Sequence, residues 1–216
     1  MSFMLYVNDI FYSIQGESSF AGYPCKFVRL AGCNLKCGYC DTKDALDIKN
    51  SKPLSVGEII SVLHSIGGDR NVRLAEITGG EPLLQEKVFD LFGELIKLNY
   101  IVLLETNGTI SLKKVPKKVI KIIDVKCPSS GFSNEFNYEN LKYISMSDEV
   151  KFVLGTGEDY DFAKNFLKIN KINTDKVIFS AIEGSSMPSK KLAEKILNDG
   201  LNVRLGIQLH KILRLK

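Results

Sequence analysis

Cys33, Cys37 and Cys40 lie within eight residues in the spacing CxxxCxxC. Thiolates bind iron-sulfur clusters, and four are needed to fill a 4Fe-4S cluster, so three closely spaced cysteines suggest one iron left for an exogenous ligand. Such an opening serves catalysis rather than structure. Two blander accounts compete: a structural zinc site with its fourth ligand elsewhere, or unliganded thiols packed in a core. Zinc would favour a second CxxC or CxxH pair, which the chain lacks, and His64 falls in a helical segment with no partner spacing.

Other polar residues could share that chemistry. In TGGEP (Thr78 to Pro82) the glycines would let backbone groups approach a cofactor, Gly80 above all, and Glu81 could offer a carboxylate to an ammonium. Alone, the motif reads as a tight turn with Pro82 opening a helix; its coincidence with the cysteine loop favours the first reading. Arg29 interrupts an apolar strand, where a guanidinium directed into a core needs an anionic partner that a carboxylated ligand would provide. Thr78 could place a hydroxyl on a ligand or simply reflect β-propensity, and Asn107-Gly108 is also a routine turn dipeptide. His210, taken alone, reads as a surface or core histidine.

The elements that must position these residues follow from apolar periodicity. Cys25 to Gly32 reads as a strand delivering the chain into the cysteine loop. Ser55 to Ile66 reads as a helix, with Ser55 and Glu58 spaced as a capping box and Ile59, Ile60, Leu63 and Ile66 on one face, closing at Gly67-Gly68. A strand at Arg73 to Thr78 precedes a helix carrying Val88, Leu91, Phe92, Leu95 and Ile96. Further strands are expected at Ile101 to Thr106, Val119 to Val125, Glu149 to Leu154, Lys176 to Ala181 and Asn202 to Gly206, with helices at Asp159 to Ile169 and Ser189 to Asn198. Apolar strands alternating with amphipathic helices indicate an α/β fold with a parallel sheet, whose sites gather at the carboxyl ends of strands. Cys33 to Cys40, Thr78 to Pro82, Glu105 to Gly108 and Lys126 to Pro128 each follow a strand, so the chemistry converges on one rim.

With 216 residues, 44% of them hydrophobic, one domain spanning 1–216 is the default. The net charge of +4 is spread along the chain except for KKVPKK (Lys113 to Lys118), read as a solvated loop between strands. No apolar stretch approaches a transmembrane span and no basic-then-apolar leader is present, so the chain is read as cytoplasmic. Five cysteines, three of them clustered, do not resemble a secreted disulfide framework.

The blocks FYSIQGE, FVRLAGCNLKCGYCDT, TGGEP, ETNG, DVKCP and QLHK resemble, in that order, those of the 7-carboxy-7-deazaguanine synthase family of the radical S-adenosylmethionine superfamily, from about residue 10 to the C-terminus. CxxxCxxC, Tyr39 before its third cysteine and GGEP mark the superfamily, whereas IQGE, Thr42 after CysAsp and QxHK single out the family. The resemblance implies a partial (β/α) barrel of mainly parallel strands. It implies that Cys33, Cys37 and Cys40 hold a 4Fe-4S cluster whose open iron is chelated by S-adenosylmethionine, cleaved on reduction to methionine and a 5'-deoxyadenosyl radical. Tyr39, Cys40 and Asp41 would line the adenine side. Gly80, Glu81, Glu105 and Asn107, the strand end Asp124, Val125 and Lys126, and the last strand end Ser180, Ala181, Ile182 and Glu183 would meet the rest of the cofactor.

By the same resemblance the substrate is 6-carboxy-5,6,7,8-tetrahydropterin, a flat ring bearing a carboxylate. Gln15, Glu17 and His210 would supply in-plane hydrogen bonds, Arg29 the cation, Thr78 a hydroxyl, and the backbone of Ile14, Gln15 and Gly16 the pairing edge. Thr42 would be a Mg2+ ligand, with substrate and water completing the octahedron, and the end of the chain at Lys216 would fold over the pocket. The implied reaction abstracts the C6 hydrogen atom, contracts the ring and releases ammonia. A reducing partner such as flavodoxin or ferredoxin and a homodimer are implied, with no direct nucleic-acid or membrane partner. Ser18 departs from the family's glycine after IQGE, and Cys25 and Cys127 cannot supply a second cluster, so they are read as structural. The rivals are a glycyl-radical enzyme activase, which shares the cysteine loop but has no need of IQGE, Arg29 and QLHK, and a zinc-binding interaction module that touches RNA through Lys113 to Lys118.

Overall fold

The computed structural model describes residues 4–67 and 72–215, so the expected closure at Gly68 and the chain end at Lys216 lie outside the described residues. Leu5–Ile14 (β1) and Pro24–Leu30 (β2) pair antiparallel, because residues 15–23 are too few for a crossover helix. The short Lys52–Leu54 (β3) pairs antiparallel with the other edge of β1. From β2 onward every pairing is parallel: Leu74–Gly79 (β4), Ile101–Thr106 (β5), Val119–Asp124 (β6), Glu149–Leu154 (β7), Val177–Ala181 (β8) and Arg204–Gly206 (β9). The result is one open sheet of nine strands in the order β3-β1-β2-β4-β5-β6-β7-β8-β9, mainly parallel as expected.

Val56–Ser65 (α1), Val88–Lys97 (α2), Gly157–Ile169 (α3) and Ser189–Asn198 (α4) connect these strands and share one core with one face of the sheet. Ile59 and Leu63, Leu91 and Phe92, Tyr160 and Phe166, and Leu192 and Ile196 pack on alternate strand residues such as Ile77, Leu104, Phe152 and Phe179. The Ser55 and Glu58 capping box is present, although only Ile59 and Leu63 of the expected face are fully buried. Helix α3 starts at Gly157, two positions before the expected Asp159. Thr156 and Asp159 form a second capping box there, and the Asp159 carboxylate also accepts the Gly155 amide at 2.8 Å. Strand β3 and Leu209–Leu213 (α5) were not expected, being too short for a periodic pattern. Lys113 to Lys118 forms a largely exposed β5–β6 connection. Among the described residues no helix is long and apolar enough to cross a membrane.

Because the helices cover one face, the strand residues alternating with that core face the other way. There Cys25, Phe27, Leu74, Leu103 and Ile122 form a small apolar floor with Phe11 and Phe20. Toward the carboxyl ends of the strands the same face carries Arg29, Thr78, Glu105, Asp124 and Lys151. The β1–β2 loop crosses this face: its Ser19 amide reaches the Glu149 carboxylate on β7 at 3.0 and 3.1 Å, and the Ser19 hydroxyl bonds the same group.

Ser18, in that loop, has φ of 62° and is buried, so the turn keeps the left-handed backbone natural to glycine. Its Oγ accepts the Phe20 amide at 3.1 Å, a local bond that glycine cannot make. A left-handed L-residue costs about 1–2 kcal/mol. Ser18→Gly should therefore leave the thermal midpoint within a few degrees of wild type, whereas Ser18→Val, β-branched and without the acceptor, should lower it by about 4 °C or more.

Candidate functional site

The cysteine loop is placed by backbone packing. Strand β2 leads through Ala31 and Gly32 into Cys33, and the β4 exit packs directly against it: the Gly80 amide donates to Leu30 O at 3.0 Å and the Glu81 amide to Gly32 O at 2.8 Å. A Cβ on Gly79 would lie 2.0 Å from Leu30 O, and one on Gly80 would lie 2.2 Å from Gly32 O. Gly79 also has φ of 143°. The two glycines are thus required by strand-end packing beneath the loop, a reason that the sequence did not disclose; both also line the cavity.

Glu81 differs from expectation. Its side chain is fully buried, accepting the amides of Leu83 at 3.0 Å and Asn107 at 2.7 Å and the Thr106 hydroxyl at 2.9 and 3.0 Å. Burial pushes its carboxyl up to about 7 against those bonds. A carboxylate so engaged ties the β4 turn to the end of β5 instead of meeting a ligand ammonium. Asn107, held by it, extends its side-chain amide to Asn34 Oδ1 at 3.0 Å and toward Cys33 Sγ at 3.9 Å, bracing the loop from the far side. Asn34, which completes this brace, was missed because nothing in its spacing distinguishes it.

The three thiols of the loop are partly exposed and line one cavity of about 670 Å³, within the usual range for small-molecule sites. Cys25 and Cys127 are fully buried elsewhere, and burial drives both thiols far up in pKa, so neither is poised as a thiolate. Among the described residues no three Cys, His, Asp or Glu side chains gather as they would around a single metal ion, whereas three thiols on one cavity match the thiolate count of a 4Fe-4S cluster with one iron left to another ligand. Tyr39 and Asp41 line the same cavity, as does Thr42, whose hydroxyl bonds Asp41 Oδ1 at 3.1 Å. Lys211 of α5, not anticipated, closes on Asp41 Oδ2 at 2.8 Å.

Strand ends fill the remaining wall. Glu105, Asp124 and Lys126 line the cavity, with Lys126 bonded to Asp124 at 2.8 Å. Burial disfavours the Lys126 charge, but Asp124 outweighs it and raises the pKa. Val125 turns its side chain into the core and has only backbone to offer. Ala181, Ile182 and Glu183 line the wall, whereas Ser180 is buried under β9 and does not.

On the substrate side, Ile14, Gln15, Gly16, Glu17, Arg29, Thr78 and His210 all line the cavity. The His210 ring packs so closely on Gly16 that a Cβ there would lie 1.9 Å from Nδ1, which explains the glycine of IQGE, and Leu209 N donates to Gly16 O at 2.9 Å. Gln15 is locked at both ends of its amide, donating to Glu76 and accepting the Glu17 amide at 3.1 Å. Glu17 accepts from Gln208 at 2.7 Å. Arg29 stacks its guanidinium over Phe11, 5.4 Å from the ring centroid, and its buried Nε has no acceptor.

Four buried side-chain polar atoms lack a partner among the described residues; three of them, Arg29 Nε, Tyr39 Oη and Asp124 Oδ1, belong to this cavity. Buried polar groups are rarely left unbonded, so these mark positions for ligand atoms. Glu76, Lys151 and Gln208 also line the cavity and were missed. The first two carry the signal that singled out Arg29, a charge inside an apolar strand.

Comparison with known proteins bears on the family and the fold. A model of the radical SAM superfamily matches residues 28–133. A 7-carboxy-7-deazaguanine synthase of Koribacter versatilis is 42% identical over 225 residues, covering 96% of each chain. One of Chlorobaculum tepidum is 41% identical over 212 residues, covering 96% of this chain and 93% of the other. The solved structure of QueE from Escherichia coli matches the fold with a TM-score of 0.77 at 23% identity, covering 96% of this chain and 95% of that one.

If backbone packing places the cysteine loop, Gly80→Ala should disturb it without touching a thiol. Overpacking of this kind costs about 1–3 kcal/mol. Iron bound per chain after anaerobic reconstitution should fall by half or more, with a lower melting temperature; wild-type values of both would contradict the packing argument.

Proposed function

This chain belongs to the 7-carboxy-7-deazaguanine synthase family of radical S-adenosylmethionine enzymes, and we propose from its site that it converts 6-carboxy-5,6,7,8-tetrahydropterin to 7-carboxy-7-deazaguanine with loss of ammonia, serving queuosine-type 7-deazapurine biosynthesis. The observation that carries this reading is one cavity that joins three thiols and three unpartnered polar atoms, the Nε of the half-buried Arg29 among them.

When bound, the cluster and S-adenosylmethionine supply the one-electron chemistry that removes a hydrogen atom from the substrate. The chain's own residues bind, orient and exclude water. Cys33, Cys37 and Cys40 would hold the cluster. Tyr39, Asp41, Gly80, Glu105, Asp124 and Lys126, with Ala181, Ile182 and Glu183, line the cavity and would meet the cofactor. Glu81 acts one step removed, by bracing the turn, whereas Asn107 both braces the loop and lines the cavity wall beside the cofactor subsite. The second amide hydrogen of Gln15 and the lone pairs that Glu17 does not spend on Gln208 and Lys151 offer hydrogen bonds to the pterin, Thr78 a hydroxyl and Arg29 the counter-charge to its carboxylate. His210 fixes the loop at Gly16 as α5 closes one side. Thr42 suits Mg2+ as a hard oxygen donor at the cavity wall, and one hydroxyl binds the ion only weakly, so substrate oxygens and water must complete its shell. A small reducing protein such as flavodoxin or ferredoxin is the natural electron source.

The test is anaerobic incubation of the reconstituted, reduced protein with S-adenosylmethionine and the carboxylated tetrahydropterin. A deazaguanine product is expected; cofactor cleavage without it would favour the activase reading, and a colourless zinc protein would favour the binding module. Arg29→Met should raise KM for the pterin about tenfold or more while cluster assembly stays intact, since a buried hydrogen bond to a charge is worth about 1.5–3 kcal/mol.

A further inference from the structure

Lys151 stands in the middle of β7 on the face away from the helices, with 5% of its side chain exposed. Its ammonium meets carboxylates from three separate segments: Glu105 at the end of β5 in direct contact, Glu17 of the β1–β2 loop at 3.0 Å and Asp124 at the end of β6 at 3.9 Å. Each partner leads outward. The second Glu17 oxygen accepts from Gln208 at 2.7 Å, the second Glu105 oxygen accepts the Thr78 hydroxyl at 3.3 Å, and Asp124 holds Lys126 at 2.8 Å. Glu76 completes the acidic surroundings: burial first and Glu105 second push its carboxyl well above the usual range, with Lys151 acting the other way. Burial disfavours the charge on Lys151, but Glu105, Glu17 and Asp124 outweigh it and raise its pKa well above the usual value.

Neutralising one buried carboxylate would need only one contact, and nothing in that task requires acids from three segments. Three N–H donors on a flexible stem can engage several acceptors at once, and here the acceptors belong to both sides of the cavity. We infer that Lys151 is a positioning residue that couples the pterin subsite to the cofactor subsite, holding Glu17 and Glu105 where the two ligands meet. The inference rests on the functional reading above. Without the ammonium, Glu17, Glu105 and Asp124 repel one another in a poorly solvated site, and Glu17, carried by a loop and left with Gln208 as its side-chain partner, is the least constrained of the three. Substrate binding then weakens and the cofactor is consumed without product.

The test compares Lys151→Met, Lys151→Gln and Lys151→Arg after reconstitution, with Gln retaining donors for the carboxylates should Met fail to fold. Iron content and melting temperature report structure; KM for the pterin and the ratio of 5'-deoxyadenosine to deazaguanine report coupling. Iron-loaded Met or Gln variants are expected to show KM raised at least tenfold and that ratio raised at least fivefold, with Arg within about threefold of wild type on both. A folded, iron-loaded Met or Gln variant with wild-type KM and ratio overturns the inference. If wild-type protein itself forms no deazaguanine, the functional reading falls instead.

Discussion

The face of the sheet that the helices leave open carries Glu76, Glu105, Asp124 and Lys151 on neighbouring strands, and the β1–β2 loop lays Glu17 onto them. Removing charges from water costs several kcal/mol for each unless they are paired. That constraint shapes what lies above the apolar floor: the loop must cross the sheet to bring Glu17 to Lys151, Gln15 must turn its amide to Glu76, and Gln208 must follow from β9 to Glu17. An arginine on the same face keeps an unpartnered Nε, and Asp124 keeps an unpartnered oxygen. The pairing is nearly complete, and where it is incomplete the molecule presents ligand-binding atoms.

The cysteine loop obeys a second constraint, one of volume. The carbonyl that ends β2, at Leu30, and that of Gly32 just before the first cysteine are taken by the amides of Gly80 and Glu81, with no space for a side chain at either glycine of the turn. Glu81 locks that turn to Asn107, and Asn107 reaches back to Asn34 within the loop. Three thiols and the charged residues of the open face thereby line one cavity.

Much of this was legible in the sequence. Apolar strands alternating with helices gave the parallel sheet, and the polar residues that follow strands did gather on one rim. Arg29 was legible because a charge within an apolar strand has no ordinary explanation, and Glu76 and Lys151 show that the same reasoning extends to LAEIT and EVKFVL. Their partners were hidden: Glu17 lies 134 residues from Lys151, and no local pattern joins them. Glu81 was misjudged for a similar reason, since the donors that consume its carboxylate sit mostly on the end of another strand. The glycines of GGEP are crowded by the chain itself, at Leu30 O and Gly32 O, a contact that no local pattern announces.

If cofactor and pterin react in this one cavity, isotope transfer between them follows. With substrate deuterated at C6, the reduced holoenzyme should move deuterium into 5'-deoxyadenosine as deazaguanine forms. Formation of 5'-deoxyadenosine free of deuterium, at the rate at which product appears, would contradict it.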